Sequence, residues 1–293
     1  MLLLIRPKHF GFNAQTAGSN VFQQALADDA AIQERALREF DALIELLHLH
    51  DIEHIVFDDT DEPLKPDAVF PNNWFSTDYN GQLILYPMLA PNRRTERRKD
   101  IITYLNQTGY LHTTDLTTYE NKNMFLEGTG SLILDRTLRY AYMCRSQRSH
   151  EALLDEFCTR LGYEKMVFDA RTPRGEEIYH TNVMMSIGHE VCIIGDTLIP
   201  DESERIHLLE HLDLYYHLVQ VDEDQIRQFA ANTLFVTNQH GQGYWLMSTT
   251  AMKSYSPQQI KVLENDGTIL ATQIDTIEKY GGGSLRCMLA ELV

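Results

Sequence analysis

Five segments of this 293-residue chain share one order of features and follow one another at intervals of 52 to 55 residues. Each segment begins with a polar residue and continues into an apolar strand, usually followed by a hairpin and a helix. Even spacing of this size is typical of a repeated supersecondary unit. The polar residues that lead the five segments are Asn73, Glu127, His180, Asn232 and Cys287.

Five strand-rich units with about one helix each predict an α/β fold. A closed, propeller-like ring of five units is favoured because closure leaves no sheet edge exposed. We interpret residues 1–293 as a single domain of this kind. The equivalent end of every unit in a ring points at the same axis, so the five leading residues are expected to meet at one central site.

Amphipathic patterns between the hairpins predict helices. Ser149 and Ser256 are the expected N-caps of two of them, Pro257 is suited to a first helical position, and Gly162 is expected to end a helix. The turn sequences YNGQ and HGQG predict two of the hairpins, and the first ten residues are expected to contain a strand. The four predicted helices cover residues 31–50, 148–162, 203–218 and 256–267.

The charge balance argues against a nucleic-acid partner. Lys and Arg number 25 against 42 Asp and Glu, which gives a net charge of −17, and such a surface repels a phosphate backbone. No apolar run approaches the roughly 20 residues that span a bilayer, and the start of the chain lacks the features of a secretory leader. The expectations are therefore a cytoplasmic protein with no membrane partner.

The four cysteines lie far apart and show no C-x-x-C spacing, which argues against a zinc site or a disulfide framework. Cys158 falls in a helical pattern and Cys192 in an apolar strand, so both are expected to be buried small hydrophobic residues. Cys287 differs because it follows three glycines, in YGGGSLRCM. Glycines let a backbone approach a ligand closely, which favours a nucleophilic thiol here.

A nucleophilic thiol requires a partner that lowers its pKa or accepts its proton. His180 is the candidate, because an imidazole can protonate a leaving amine and then activate water. Glu127 lies between apolar residues and a glycine-rich turn, and a buried carboxylate is expected to have a partner. That partner is either a cationic guanidinium or His180 itself.

These motifs resemble the guanidino-group-modifying superfamily, which includes arginine deiminases, dimethylargininases, succinylarginine dihydrolases and amidinotransferases. The resemblance rests on KPDAVFPNNWF, PNRRTER, EGTGS, CRSQR, the H-T-N strand start and GGGSLRC, in this order over nearly the whole chain. It implies a five-bladed α/β propeller with a central site. It also implies that Cys287 attacks a guanidinium or ureido carbon, with His180 and Glu127 assisting.

The resemblance further implies a set of substrate-binding residues. Asp67 matches an acid near the substrate, and Arg93 or Arg94, together with Arg145, would bind the substrate carboxylate. Residues 10–20 form either a lid over the site or a simple surface loop. The remaining candidate ligands, all amides or glycine, are Asn72, Asn73, Asn182, Asn232 and Gly282.

Asparagines stand where some members of the superfamily carry acids, at Asn72, Asn73 and Asn182. An amide offers donors and an acceptor without charge, which suits a neutral ureido group better than a guanidinium. The sequence therefore favours citrulline, cleaved to ornithine, ammonia and carbon dioxide. Arginine deiminase, dimethylargininase and succinylarginine dihydrolase activities remain alternatives, since some relatives bind a guanidinium with amides nearby.

Two readings from other classes also remain open. An amidinotransferase would pass the carbon unit to an acceptor amine instead of water, and a non-catalytic protein could use the same pocket for binding. A papain-like peptidase is disfavoured because its cysteine precedes its histidine in the chain. The expected partner is an amino acid related to arginine or citrulline, with no metal and no cofactor, and a homo-oligomer is left open.

Overall fold

Fifteen strands form five separate three-stranded sheets in the computed structural model, which describes residues 1–20, 22–24 and 31–293. Each sheet has the same topology: its first strand is antiparallel to its second, and its second is parallel to its third. The strands are β1 (Leu2–Arg6), β2 (His54–Asp58), β3 (Phe75–Asp78), β4 (Gln82–Leu85), β5 (His112–Asp115), β6 (Ile133–Asp135), β7 (Tyr140–Arg145), β8 (Glu164–Asp169), β9 (Met185–Ile187), β10 (Val191–Ile194), β11 (His217–Gln220), β12 (Leu234–Thr237), β13 (Gly243–Ser248), β14 (Thr268–Thr272) and β15 (Ala290–Glu291).

Helices connect the parallel strands of each sheet, as a parallel pair requires a long crossover. The helices of the described residues are α1 (Ile32–Leu49), α2 (Lys99–Gln107), α3 (Gly128–Ser131), α4 (Glu151–Leu161), α5 (Glu202–Asp213), α6 (Glu223–Arg227), α7 (Thr249–Ser254), α8 (Pro257–Asp266) and α9 (Asp275–Gly281). None of the helices in this part of the chain is long and apolar enough to cross a bilayer.

The five sheets confirm the repeat and the predicted five-bladed α/β propeller. Each leading polar residue lies just before the first strand of a sheet, namely β3, β6, β9, β12 and β15. These first strands also contact one another, with β9 touching both β6 and β12, and β15 touching β3. The first strands therefore surround the axis, and the residues that precede them are brought together at one end of it.

Both chain ends contribute to the fifth sheet, in the order β15, β1, β2. Leu2 and Leu3 of β1 pair with Glu291 and Ala290 of β15. The amino group of Met1 donates a hydrogen bond to the carbonyl of Leu292 at 3.3 Å. The ring is thus closed by residues that are almost 290 positions apart in the sequence.

Local signals predicted several element ends correctly. Ser256 caps α8 with Pro257 in the first turn, and Gly162 ends α4 at a φ of +71°. The turns at 79–82 and 240–243 join antiparallel strands, as predicted.

Two other predictions were wrong. The N-cap of α4 is His150 instead of Ser149, and the helix predicted over 203–218 ends at Asp213. The last predicted helical residues, His217 and Leu218, instead begin β11, where Val219 enters the core.

Candidate active site

Three of the residues that lead the five sheets, Asn73, His180 and Cys287, line a small buried pocket. The other two, Glu127 and Asn232, contact His180 and Cys287 from behind the lining. The cavity has a volume of about 20 Å³, enough for a single water molecule. Its lining combines an acid, two arginines, an imidazole and a thiol, which is the composition expected of a catalytic site. The lining residues are Thr16, Asn20, Asp67, Phe70, Asn73, Arg93, Arg148, Tyr179, His180, Gly281, Gly282, Gly283 and Cys287.

Glu127 and His180 form a buried pair at the pocket. His180 Nε2 lies 2.9 Å from Glu127 Oε2, and both side chains are almost fully buried. Burial lowers the pKa of His180 to about 4, so the ring is neutral at pH 7. Because the carboxylate can only accept, Nε2 carries the proton and Nδ1 is left as the free base.

Three further contacts hold the Glu127 carboxylate ionised. Its Oε1 accepts from the backbone N–H of Leu89 at 3.0 Å, and Arg148 Nη1 lies 3.4 Å from Oε2. Burial alone would raise the pKa of Glu127, but Arg148, His180 and Arg93 together lower it well below the ordinary range. The structure therefore favours His180 as the partner of Glu127, one of the two alternatives left open by the sequence.

Cys287 lies in a 3₁₀ turn directly after the glycine-rich segment. Amide nitrogens of Asn232 and Asn182 lie 3.4 and 3.5 Å from its Sγ. Burial raises the pKa of Cys287, and the hydrogen bond from Asn232 offsets this in part. The thiol is therefore protonated at neutral pH in the free protein, and a cation placed beside it would favour the thiolate.

The amide of Asn73 has a defined orientation. Its Oδ1 accepts a hydrogen bond from Arg93 Nη1 at 2.9 Å, and an arginine has no acceptor, so the contacted atom must be the oxygen. Its Nδ2 has no partner in the structure. A Cβ on Gly130 would lie 2.3 Å from this nitrogen and 2.7 Å from His180 Nδ1, so a glycine is required there and the two nitrogens lie close together.

Acids and arginines nearly balance around the pocket. Arg93 pairs with Glu96 and lies 3.6 Å from Asp67 and 4.0 Å from Glu127. Although burial opposes it, the carboxylates of Glu96 and Asp67 raise the pKa of Arg93. With Arg148, two guanidinium groups lie among three carboxyl groups, and burial raises the pKa of two of these, that of Glu96 to about 7 and that of Asp67.

Two predicted arginines lie outside the pocket. Arg145 ends β7 half-exposed and pairs with Glu151, Asp169 and Glu204. Arg94 lies over the ring of Phe125 and donates to the carbonyl of Met88. Both assignments are corrected: Arg93 and Arg148 are the arginines that line the cavity.

Arg148 was not predicted, although it belongs to the same CRSQR motif as Arg145. A tight turn after β7, with the N–H of Ser149 donating to the carbonyl of Ser146 at 3.1 Å, turns the chain inward. Arg148 then lies over the ring of Tyr179 and beside Glu127. Glu96 was also missed, and its spacing of three residues from Arg93 was the only signal in the sequence.

Thr16 and Asn20 of the segment at 10–20 line the pocket, which favours the lid over the simple surface loop. Asn13 Nδ2 donates to Asp67 at 2.7 Å, and Ser19 Oγ accepts from Arg148 at 2.6 Å. Asn20 Nδ2 donates to the carbonyl of Gly282 at 3.1 Å. Gly282 has a φ of +66°, and a Cβ there would lie 2.6 Å from the Asn20 amide nitrogen, so this glycine permits the loop to close.

The other predicted amides occupy different places. Asn182 and Asn232 contact the Cys287 sulfur and do not line the cavity. Asn72 is fully buried behind the start of α3, where its carbonyl oxygen would be 2.2 Å from a Cβ on Gly128. Cys158 and Cys192 are buried among apolar residues, as predicted.

A second, larger cavity of about 800 Å³ is lined by residues that adjoin the site residues in the sequence, including Arg286 and Thr233. Its two arginines, Arg136 and Arg286, are already paired with Glu291. Neither Cys287 nor His180 lines it, so the smaller pocket is the candidate active site despite its size.

A protein-family model for eukaryotic N,N dimethylarginine dimethylhydrolases matches residues 6–293. The chain belongs to this family. The predicted superfamily is thereby confirmed, and with it a relationship to hydrolases that act on arginine-related C–N bonds. A comparison with curated proteins gives no match.

Solved structures share the fold at low sequence identity. The N-terminal domain of ArgZ with bound product, an arginine dihydrolase of cyanobacteria, matches with a TM-score of 0.78 and 17% identity over 100% of this chain and 97% of that domain. Unliganded AgrE matches with a TM-score of 0.78 and 18% identity, over 100% of this chain but only 39% of the longer AgrE chain. A dimethylarginine dimethylaminohydrolase adduct matches with a TM-score of 0.68 and 13% identity, over 99% of this chain and 98% of the other.

Proposed function

We propose that this protein is a cysteine-dependent arginine dihydrolase. It would hydrolyse the guanidinium carbon twice, converting arginine and two waters into ornithine, carbon dioxide and two ammonia molecules. Citrulline, the substrate favoured by the asparagines in the sequence, is then the intermediate at which the second hydrolysis begins.

The observation that carries this proposal is a pocket that offers two kinds of protein group to a substrate, carboxyl groups and an amide N–H donor. Asp67 lines the pocket and offers a carboxyl group to a guanidinium, and Glu127 adds a carboxylate behind His180. Asn73, with its oxygen held by Arg93, presents an unpartnered N–H group beside His180. A ureido oxygen needs a donor at that place, and an acid there would repel it. One pocket is therefore suited to both the cationic substrate and the neutral intermediate.

In the first half-reaction the arriving cation favours the Cys287 thiolate, which attacks the planar carbon. His180 holds the proton and delivers it to the leaving nitrogen, so that ammonia departs and an amidino-cysteine adduct remains. His180 Nδ1 then takes a proton from water, and attack of that water releases the thiol and forms the ureido group. Glu127 stabilises the imidazolium that forms in each transfer.

In the second half-reaction Cys287 adds to the ureido carbon, and the Asn73 N–H group donates to the oxygen as it becomes negative. Loss of ammonia and attack by a second water yield a carbamate, which separates into ornithine and carbon dioxide. Asn182 and Asn232 hold the sulfur between the two rounds through their hydrogen bonds to Sγ.

Arg148 is the proposed ligand of the substrate α-carboxylate. In the free protein its guanidinium donates to the Ser19 hydroxyl and to the carbonyl of Thr16, acceptors that a carboxylate would replace with a stronger, bidentate pair. Arg93 is less suited, because its donors are already taken by Glu96, Asn73 and the carbonyl of Phe70. The small cavity implies that the loop at 10–20 opens to admit the amino acid.

The fold match to ArgZ supports this proposal. The ArgZ domain has been solved with product and, as an asparagine-to-serine variant, covalently bound to a reaction intermediate. An asparagine is thus connected with a trapped intermediate in a protein that is an arginine dihydrolase. In the present protein the pocket asparagine, Asn73, lies beside the proposed nucleophile and base.

The test is product analysis with purified protein and a Cys287→Ala control. Arginine should yield ornithine and two ammonia molecules per turnover in the wild type, and neither in the control. Accumulation of citrulline with one ammonia would indicate a deiminase. Dimethylamine from dimethylarginine would indicate a dimethylargininase, and transfer to added glycine or lysine an amidinotransferase; any of these as the main reaction contradicts the proposal.

A further inference from the structure

Glu96 is a buried carboxylate that lies behind the pocket lining. It ends a 3₁₀ helix over Pro91–Glu96, and 1% of its side chain is exposed. Its two oxygens accept from Arg93 Nε at 2.8 Å and Nη2 at 2.9 Å. This bidentate pair fixes both the position and the plane of the Arg93 guanidinium.

The remaining nitrogen of Arg93 then points in one direction only. Nη1 donates to Asn73 Oδ1 at 2.9 Å, so the amide of Asn73 is held with its oxygen toward Arg93. Its Nδ2 is left beside His180, without a partner. The orientation of Asn73 is therefore set by Glu96 through one intervening side chain.

Arg93 has competing carboxylates close by. Asp67 Oδ2 lies 3.6 Å from Nε, and Glu127 Oε2 lies 4.0 Å from Nη1. Without the charge of Glu96, the guanidinium would be drawn toward these two acids, and its hydrogen bond to Asn73 would weaken. Asn73 could then turn its oxygen into the pocket, where it would face the oxygen of a ureido group.

We propose that Glu96 is a positioning residue that acts through Arg93 to fix the Asn73 amide, and thereby determines whether the ureido intermediate is hydrolysed or released. The inference rests on the proposed arginine dihydrolase function. It assigns Glu96 no contact with the substrate, because Glu96 does not line the cavity.

The first experiment compares Glu96→Gln with Glu120→Gln. Glu120 is a matched control because it also holds an arginine through two hydrogen bonds, those of Arg97 at 2.5 and 3.0 Å, but lies outside the pocket. The ratio of ornithine to citrulline formed from arginine should fall roughly tenfold in Glu96→Gln, the loss expected for one hydrogen bond to a charged group. Glu120→Gln should retain the wild-type ratio.

Two outcomes overturn the inference. One is an unchanged product ratio in Glu96→Gln with wild-type kcat. The other is an equal change of the ratio in both variants, which would indicate a general effect on stability. If Glu96→Gln does not fold, Arg93→Lys provides a second test, because an ammonium cannot contact Glu96 and Asn73 in the same fork geometry; an unchanged ratio there also overturns it.

A binding measurement separates this inference from the proposed function. Kd values for citrulline and arginine are measured by calorimetry on Cys287→Ser, with and without Glu96→Gln. Selective loss of citrulline affinity supports the role of Glu96 even if the wild type makes no ornithine. Equal loss for both ligands, or no loss, overturns it even if the wild type is a dihydrolase.

Discussion

The reactivity of Cys287 should depend strongly on pH. Burial raises its pKa, so the nucleophilic thiolate is scarce at neutral pH and increases as pH rises toward that raised value. The rate of iodoacetamide alkylation in the free protein should therefore still be rising above pH 9. Asn232→Ala removes a donor to the sulfur and should slow alkylation at pH 8 by roughly tenfold.

The other three cysteines provide the baseline for this measurement. Cys144 and Cys192 are fully buried with raised pKa values, and Cys158 is nearly so, so all three should react slowly. A Cys287→Ala protein reports their combined rate, which is subtracted. A rate that levels off below pH 8 in the wild type would contradict the buried, neutral thiol described above.

Gly130 should tolerate no side chain. A Cβ there would lie 2.3 Å from Asn73 Nδ2 and 2.7 Å from His180 Nδ1, so Gly130→Ala must displace one of these groups. A displacement of about 1 Å at a reacting group costs about 100-fold in rate, and kcat on arginine measures it.

Gly175→Ala is the comparison for Gly130→Ala. Gly175 has a φ of +83° but meets open space, so the change should lower the melting temperature and leave kcat intact. Equal activity in the two variants would show that the spacing between Asn73 and His180 is unimportant.

Individual site residues were predictable where their chemistry is distinctive. Cys287, His180 and Glu127 were chosen as candidates because they have reactive side chains and stand at equivalent positions of the repeat. Arg145 was chosen over Arg148 because the sequence does not show the turn that redirects the chain after β7. Glu96 was missed because a buried ion pair leaves no periodic pattern in the sequence. The role of such a residue depends on where its partner lies in space, which the sequence does not show.

Among the elements, the loop at 10–20 covers the pocket, with Thr16 and Asn20 in its lining. Its Asn20 holds it to the glycine segment through the carbonyl of Gly282. Asn20→Ala removes this hydrogen bond, about 1 kcal/mol, and should raise KM for arginine roughly fivefold by favouring the open loop. Steady-state kinetics measure the change, with exposed Asn121→Ala as a control that should leave KM unaltered. A fall in kcat with constant KM would instead place Asn20 in the chemical step.

Element boundaries followed the sequence where a cap or a glycine marks them, as at Ser256 and Gly162. The predicted end of α5 was too late because LDLYYHL keeps a helical apolar spacing. Its last residues join β11 beside β10, a tertiary preference that overrides local periodicity. His150, which caps α4 without a side-chain hydrogen bond, gives no capping signal of the usual kind.

At the scale of the molecule, the ring should tolerate a new pair of chain ends. Met1 and Leu292 are already in contact, so a short flexible linker can join them. A permutant opened between Arg174 and Gly175, in an exposed loop, should fold and retain activity of the same order as the wild type. A second permutant opened between Trp245 and Leu246, both fully buried, should not fold. Circular dichroism and arginine turnover test both permutants. If the permutant opened at Arg174 does not fold, the described closure of the ring is contradicted.

The fivefold fold was predictable because the repeat keeps its spacing even though its residues differ. The sequence did not predict one feature of the ring, namely which parts of the chain supply the strands of the fifth sheet. The last segment supplies only β15, and β1 and β2 come from the opposite end of the chain. Sequence periodicity describes neighbours along the chain, so it could not show which distant strand completes the fifth sheet.

The pairing of β1 with β15, the last strand to be synthesised, has a consequence for biosynthesis. Both faces of β1 are buried in the finished protein, Leu2 and Leu4 in one core and Leu3 and Ile5 in another. A ribosome that adds 5 to 20 residues per second needs on the order of 10 to 50 s between β2 and β15. Toward the end of that interval a nascent chain carries Glu127 and His180 but not Cys287, and throughout it one edge of β1 is open to wrong pairing. Chaperone occupancy of the first strand should therefore persist until the last one emerges.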